Sequence, residues 1–221
     1  LAVVTEGGPT RVPPPAPATP MFKSAETLSL LKHEEAPFDD FKREPLLPNR
    51  MSLTGPGMAW GDADGDGRDD LWLGGAAGSA GQIVHRRDDG FAPASAPALA
   101  ADKYSEDTGG LWFDAEGDGD ADLYVVSGGN EADDGDILYA DRLYFNDGRG
   151  SLSPAPRGTL PEDRVSGSVV AAADVDRDGD TDLFVGGRQT PGQYPKAPPS
   201  RLLINEGGRF TARPMEVGMV N

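Results

Sequence analysis

The sequence predicts an all-β protein made of about three four-stranded units. Three observations carry that prediction. Glycine (30) and proline (20) together make 50 of the 221 residues, and helix interiors tolerate neither. An acidic nonamer occurs three times without gaps: Asp62-Ala-Asp-Gly-Asp-Gly-Arg-Asp-Asp70, Asp114-Ala-Glu-Gly-Asp-Gly-Asp-Ala-Asp122 and Asp174-Val-Asp-Arg-Asp-Gly-Asp-Thr-Asp182. Around each nonamer, short apolar runs and Gly-rich turns recur in one fixed order.

The elements follow from that order. Residues 1–50 are a lead-in, in which Pro13-Pro14-Pro15, Pro17 and Pro20 read as an extended spacer. Leu1–Thr5 and Met21–Ser24 read as strands closing a preceding unit. The start at Leu1, with no signal-peptide pattern beside it, reads as a processed protein or a piece of a larger one. Each unit then opens with an apolar stretch: Gly57–Trp60, Gly110–Phe113 and Val169–Ala173. The acidic nonamer comes next, and a second strand follows it at once: Leu71-Trp72-Leu73, Leu123-Tyr124-Val125-Val126 and Leu183-Phe184-Val185. A connection leads to a third strand, Gln82–His85, Arg142–Phe145 or Arg201–Asn205. A turn and a fourth strand, starting at Phe91, Leu152 or Phe210, end the unit. Asp-Gly and Gly-Gly between apolar runs are hairpin signals. Four short strands per 50 to 60 residues are the signature of a propeller blade. The expected blades are 51–103, 104–163 and 164–216, with 217–221 opening a further one. They form a propeller segment that belongs to a larger propeller.

The charge is concentrated in the nonamers. They hold 15 of the 37 acidic residues against two arginines, Arg68 and Arg177, within a chain of formal charge -17. An acidic surface excludes nucleic-acid partners, which require basic ones. No apolar run reaches the ~20 residues of a membrane span. With no cysteine, neither disulfides nor thiolate metal sites can hold the fold.

Acids at positions 1, 3, 5 and 9 of a tight loop turn inward when the backbone coils about a centre. The glycine at position 6 (Gly67, Gly119, Gly179) supplies the positive φ such a bend needs. The expected ligands are Asp62, Asp64, Asp66 and Asp70 in the first loop. Asp114, Glu116, Asp118 and Asp122 serve the second, and Asp174, Asp176, Asp178 and Asp182 the third. A backbone carbonyl at position 7 (Arg68, Asp120, Asp180) adds another oxygen. Six to eight hard oxygens match Ca²⁺, with Mg²⁺ second because of its stricter octahedron. About three calcium sites are therefore expected. An EF-hand shares the Asp-x-Asp-x-Asp-Gly opening but needs a Glu at position 12 and flanking helices. Position 12 here is Leu73, Val125 or Val185, so that alternative fails.

The pattern Gly57-x-x-x-Gly61-Asp62-x-Asp64-Gly65-Asp66-Gly67-x-x-Asp70-Leu71-x-x-Gly74 resembles the FG-GAP / VCBS repeat of integrin α-subunit β-propellers and bacterial secreted proteins. Tyr124–Glu131 and Arg142–Gly148 are similar to phrases of bacterial cartilage-acidic-protein-like repeat proteins. The resemblance covers roughly residues 52–221 and implies a calcium ion in each loop.

Other features weigh less. Trp72, Tyr124 and Phe184 share one place in the repeat and read as packing between blades, as do Trp60 and Trp112. The connections Asn130–Asp141 and Arg188–Ser200 exceed hairpin length and are candidate partner contacts. His33-Glu34-Glu35 with Asp39-Asp40 reads as a polar loop, and His85 stands alone in its strand. No GxSxG, HExxH or P-loop pattern occurs. The expectation is a non-catalytic, extracytoplasmic calcium-binding module with a protein or glycan partner. The alternatives are a structural subunit of a larger surface or membrane assembly and an accessory propeller of a polysaccharide-active enzyme.

Overall fold

The three repeats fold into three four-stranded antiparallel sheets, as the computed structural model shows for residues 28, 29 and 31–214. Blade I comprises β1 (Met58–Gly61), β2 (Asp70–Leu73), β3 (Gln82–Arg87) and β4 (Gly90–Pro93). Blade II comprises β5 (Glu106–Phe113), β6 (Asp122–Gly128), β7 (Arg142–Asn146) and β8 (Leu152–Pro154). Blade III comprises β9 (Gly167–Ala173), β10 (Asp182–Gly187), β11 (Arg201–Asn205) and β12 (Phe210–Pro214). In each sheet the strands lie side by side in chain order, so every connection within a blade is a simple return. The chain is therefore an all-β, propeller-like segment. The lead-in strands expected at Leu1–Thr5 and Met21–Ser24, and the opening strand expected at 217–221, lie outside the described residues.

The blades meet through their first strands, with β1 against β5 and β5 against β9. Small residues permit that approach: a Cβ at Gly109 would lie 2.8 Å from the Ser168 carbonyl oxygen, and one at Gly57 would lie 2.7 Å from the Gly109 nitrogen. Two apolar seams follow. Ala59, Trp72 and Ile83 of blade I pack with Trp112, Leu123, Val125 and Tyr144 of blade II. Tyr124, Val126 and Leu143 of blade II pack with Leu183, Val185, Leu203 and Phe210 of blade III. Each fully buried aromatic or aliphatic side chain stabilises by about 1.5–3 kcal/mol. Trp72 and Trp112 sit in the core as expected, but Trp60 does not. It alternates with Ala59 on β1, and half of it faces solvent.

The third strands of blades II and III open on Arg142 and Arg201, half-buried and buried respectively, and both are held in ion pairs. Arg142 reaches Asp107 at 2.6 Å, while Arg201 holds Asp141 and Asp163, both at 2.9 Å. Burial pushes the Asp141 carboxyl up, against the pull of Arg201. Among the described residues there are two α-helices, both of about one turn: α1 (Asp40–Arg43) and α2 (Pro97–Ala101). Residues 40–52 are more than a spacer. Asp40 is fully buried, accepts from Ser52 Oγ at 2.6 Å and from Asn130 Nδ2 at 2.9 Å, and so ties the lead-in to blade II. His33 and Glu35 pair with each other at 3.0 Å.

Antiparallel order sorts the connections between two ends. The acidic loops (first to second strand) and the turns from third to fourth strand share one end. The connections from second to third strand, and those between blades, share the other.

Candidate metal sites

Each acidic loop is first a hydrogen-bonded turn. At position 1, Asp62 accepts from Asp66 N at 3.1 Å and Gly67 N at 2.8 Å. Asp114 accepts from Gly117 N at 2.7 Å and Gly119 N at 3.0 Å, and Asp174 from Arg177 N at 2.7 Å and Gly179 N at 3.3 Å. At position 5, Asp66, Asp118 and Asp178 each accept from the backbone nitrogen two residues on, at 3.0, 3.0 and 2.9 Å. The position-6 glycines adopt the positive φ expected of them, at 83°, 93° and 101°. Position 4 needs the same conformation, with Gly65 at 73° and Gly117 at 77°, yet the third loop places Arg177 there at 68°.

Position 9 opens the second strand and has a structural task beside the ligand role expected of it. Asp70, Asp122 and Asp182 are completely buried. One oxygen of each accepts from the backbone of loop position 2: Ala63 at 3.0 Å, Ala115 at 2.9 Å, Val175 at 2.8 Å. The other accepts from the third strand: Arg86 N at 2.7 Å, Asn146 N at 2.8 Å, Asn205 N at 2.8 Å. These carboxylates clip the loop to its own blade, with or without an ion.

The structure gathers the remaining acids unequally. Asp62, Asp64 and Asp66 bring one oxygen each within 4.8 Å of one another, and so do Asp174, Asp176 and Asp182. Three crowded anionic oxygens fit a hard divalent cation. In the third loop no basic side chain pairs with them among the described residues, and burial together with Asp178 and Asp182 pushes the Asp176 carboxyl up. In the second loop Asp114, Glu116, Asp118 and Asp122 form no such three-oxygen group among the described residues. Glu116 is one methylene longer than the Asp at this place in the other loops. Burial raises its pKa, with Asp122, Asp118 and Asp114 adding to the shift.

The first loop has basic side chains of β3 beside it. Arg87 Nη1 lies 2.8 Å from Asp64 and 3.3 Å from Asp66. His85 Nδ1 lies 3.0 Å from Asp70 and 3.5 Å from Asp64. His85 is thus not alone; the fold sets it beside two loop acids, and it completes a second three-donor group with them. Its place one strand away, 15 residues past Asp70, hid the contact from local reading. The position-7 residues point their side chains outward from the loops: Arg68 pairs with Asp88 at 2.7 Å, and Asp180 accepts from Gly207 N at 2.7 Å. Asp120 lies against the turn glycine Gly148.

Two residues that the sequence analysis did not single out hold the loops in place. Asn146 ends β7, and its Nδ2 donates to Ala63 O of the first loop at 2.8 Å and to Ala121 O at 2.9 Å. Asn205 ends β11 and donates to Ala115 O of the second loop at 2.9 Å and to Thr181 O at 3.2 Å. The first and second loops are thereby each clasped by the next blade. The signal in the sequence was an Asn at one fixed place, before the turns Asp147-Gly148 and Glu206-Gly207, where blade I carries Arg86.

No helix among the described residues is long and apolar enough to cross a membrane. No curated protein matches the chain. The family model described as an FG-GAP-like repeat matches residues 114–185, from the opening of the second acidic loop through the second strand of blade III. The second and third nonamers lie inside that match, so residues 114–185 are similar to the FG-GAP-like repeat, and the first nonamer repeats the same pattern at 62–70.

Proposed function

We propose that the chain is a calcium-stapled, non-catalytic propeller module that presents a binding or assembly surface in a secreted, periplasmic or surface-exposed protein. The observation that carries the reading is the placement of the acidic loops. All three lie at one end of the blades, and in two the next blade's asparagine holds the loop across the seam. A cation there joins first strand to second strand while the loop's backbone joins blade to blade. Sites of moderate affinity fill where calcium is abundant, which favours a location outside the cytoplasm.

The opposite end is suited to recognition. The two long connections are braced there by the lead-in: Arg43 holds Asn130 O at 3.1 Å and Asp133 at 2.8 Å, while Glu44 accepts from Tyr194 N at 2.8 Å. Tyr104, Ile137 and Tyr194 are exposed on connections at that end. Apolar and aromatic side chains on rigidly held loops favour a protein or glycan partner.

Calcium titration by calorimetry, paired with thermal melts, tests the metal reading. At free calcium one hundred times Kd, each site adds about 2.7 kcal/mol. In a protein of this size about 1 kcal/mol moves Tm by roughly 2–4 °C. Two filled sites then raise Tm by roughly 10–20 °C over the chelated protein. A melt unchanged by millimolar calcium, with no heat of binding, would overturn the proposal.

A further inference from the structure

Three polar side chains around the start of the β10–β11 connection are left with incomplete partners. Arg188 follows β10 at once. Its guanidinium is half-buried and, among the described residues, makes neither an ion pair nor a hydrogen bond. Burial lowers its pKa, against the pull of Glu106 and Asp40. Gln189 is only 8 % exposed; its Nε2 donates to Gly129 O at 2.8 Å, while its Oε1 is buried with no partner. Glu44 is buried as well, and its Oε1 accepts from Tyr194 N at 2.8 Å. Among the described residues no basic side chain pairs with it. All three line one cavity of about 210 Å³ between the lead-in and the connection. Leu47 and Met51 give it an apolar wall, and the exposed Tyr194 lies on its rim.

We propose that this cavity binds a free α-amino acid with an apolar side chain, its carboxylate on Arg188, its ammonium on Glu44 and Gln189 Oε1, and its side chain against Leu47 and Met51. The unmet groups specify the occupant. A guanidinium matches a carboxylate through two parallel hydrogen bonds. A buried amide oxygen calls for a donor, and leaving it bare costs free energy. Inorganic phosphate or a simple carboxylate would meet Arg188, but it would bring no ammonium to Gln189 Oε1 and would face the Glu44 carboxylate. A bare cation would leave Arg188 unpaired. A ligand carrying both charges on one carbon answers both sides, because Arg188 and Glu44 border the same space without pairing to each other. The volume lies below the roughly 300–1,000 Å³ of sites for drug-sized ligands, which favours a single small molecule over an oligosaccharide or a peptide segment. The walls are also held from outside the cavity. Arg43 grips Asn130 O and Asp133, and Gln193 Nε2 donates to Asp134 at 2.8 Å, so the cavity is formed before a ligand arrives. The inference depends neither on calcium in the loops nor on a protein or glycan partner.

The test titrates leucine into the isotope-labelled 221-residue chain, followed by amide chemical shifts. Concentrations run to about 20 mM, to cover the modest affinity available to so small a ligand. Saturable shifts should be confined to 44–51 and 188–198. On the unaltered protein, isocaproate (no ammonium), isoamylamine (no carboxylate) and glycine (no side chain) should each bind at least about tenfold more weakly than leucine. Arg188→Ala should weaken leucine binding about 10- to 100-fold. Glu44→Gln keeps an acceptor for Tyr194 N but loses the charge. It should weaken leucine about tenfold and leave isocaproate unchanged. The analogue series needs no variant, so it decides the matter even where a substitution impairs folding. Absence of saturable shifts, or isocaproate binding as tightly as leucine, overturns the proposal. So does N-acetyl-leucine matching leucine, which would make the end of a peptide chain the occupant, and so does tighter binding of glucuronate, which would make it a sugar acid. The titration is run in calcium and in chelator, so its failure leaves the metal reading standing.

Discussion

Asn205 is where the inter-blade architecture can be tested with one side chain. It is 1 % exposed. Its Nδ2 donates to Ala115 O and Thr181 O, and its Oδ1 accepts from Gly208 N at 2.8 Å. Replacing it with alanine removes three hydrogen bonds and leaves two carbonyls and one N–H without those partners. At about 1 kcal/mol net for each bond, the expected loss is about 3 kcal/mol. That corresponds to a fall in Tm of roughly 6–12 °C. Urea unfolding with calcium and with chelator measures it, and the loss should appear in both because the clasp is made by protein atoms alone. Asn205→Asp keeps the shape but turns a donor into an acceptor facing two carbonyls, so it should cost at least as much. Arg86→Ala is the control, since Arg86 occupies the equivalent place in blade I and is exposed. A loss at Asn205 below about 1 kcal/mol, or one equalled by Arg86→Ala, would refute the clasp.

Three further outcomes follow from single residues. Burial, with Glu131 and Glu35 nearby, pushes the Glu106 carboxyl up to about 8 from 4.5. The folded protein thus keeps a proton that the unfolded chain releases. This group's penalty is absent below about pH 4.5 and grows as pH rises to 8, reaching on the order of 4 kcal/mol; Glu106→Gln should flatten that slope in chemical unfolding measured from pH 5 to 8. Arg177 holds a φ of 68° where the other loops have glycine. Relieving a left-handed L-residue, less the added freedom of glycine when unfolded, should make Arg177→Gly more stable by about 0.5–1 kcal/mol, and a lower urea midpoint would contradict it. Arg87 sits on Asp64 and Asp66, so a cation entering the first loop must displace it. On a background of Asp118→Asn and Asp178→Asn, Arg87→Gln should tighten calcium binding severalfold by calorimetry, whereas weaker binding would mean that Arg87 organises the loop.

The features legible in the sequence were those whose physics is local. A loop that coils needs glycine where φ is positive, and the position-6 glycines met that requirement in all three repeats. A strand buried on both faces shows as an apolar run, and β6 is buried along its whole length. Contacts that close over long sequence separations left a weaker trace. Asn146 reaches a carbonyl 83 residues away and Asn205 one 90 residues away, yet beside Gly-containing turns each looks like an ordinary turn former. His85 sits beside Asp70 only because β3 pairs with β2. Alternation marks two faces of a strand but does not say which is covered, and so Trp60 and Phe184 were both read as core. Phe184 obeys the repeat; what it lacks, among the described residues, is the neighbour that Trp72 and Tyr124 have.

The acidic residues divide into two groups that composition alone merges. Asp70, Asp122 and Asp182 are buried acceptors of two backbone N–H groups each, and losing one strands donors from the loop and from the third strand. Asp64 and Asp176 accept no backbone N–H from the third strand, and they contribute oxygens to the three-donor groups, which Asp70 and Asp182 join from the strand side. Asp182→Ala should therefore destabilise the protein by about 2–4 kcal/mol even in chelator. Asp176→Asn should leave the chelated protein's stability within about 0.5 kcal/mol while removing calcium's stabilising effect at that loop. Equal behaviour of the two variants in chelator would mean that fold and metal site are one device; a clean separation means that hydrogen bonds hold the turn independently of any cation it receives.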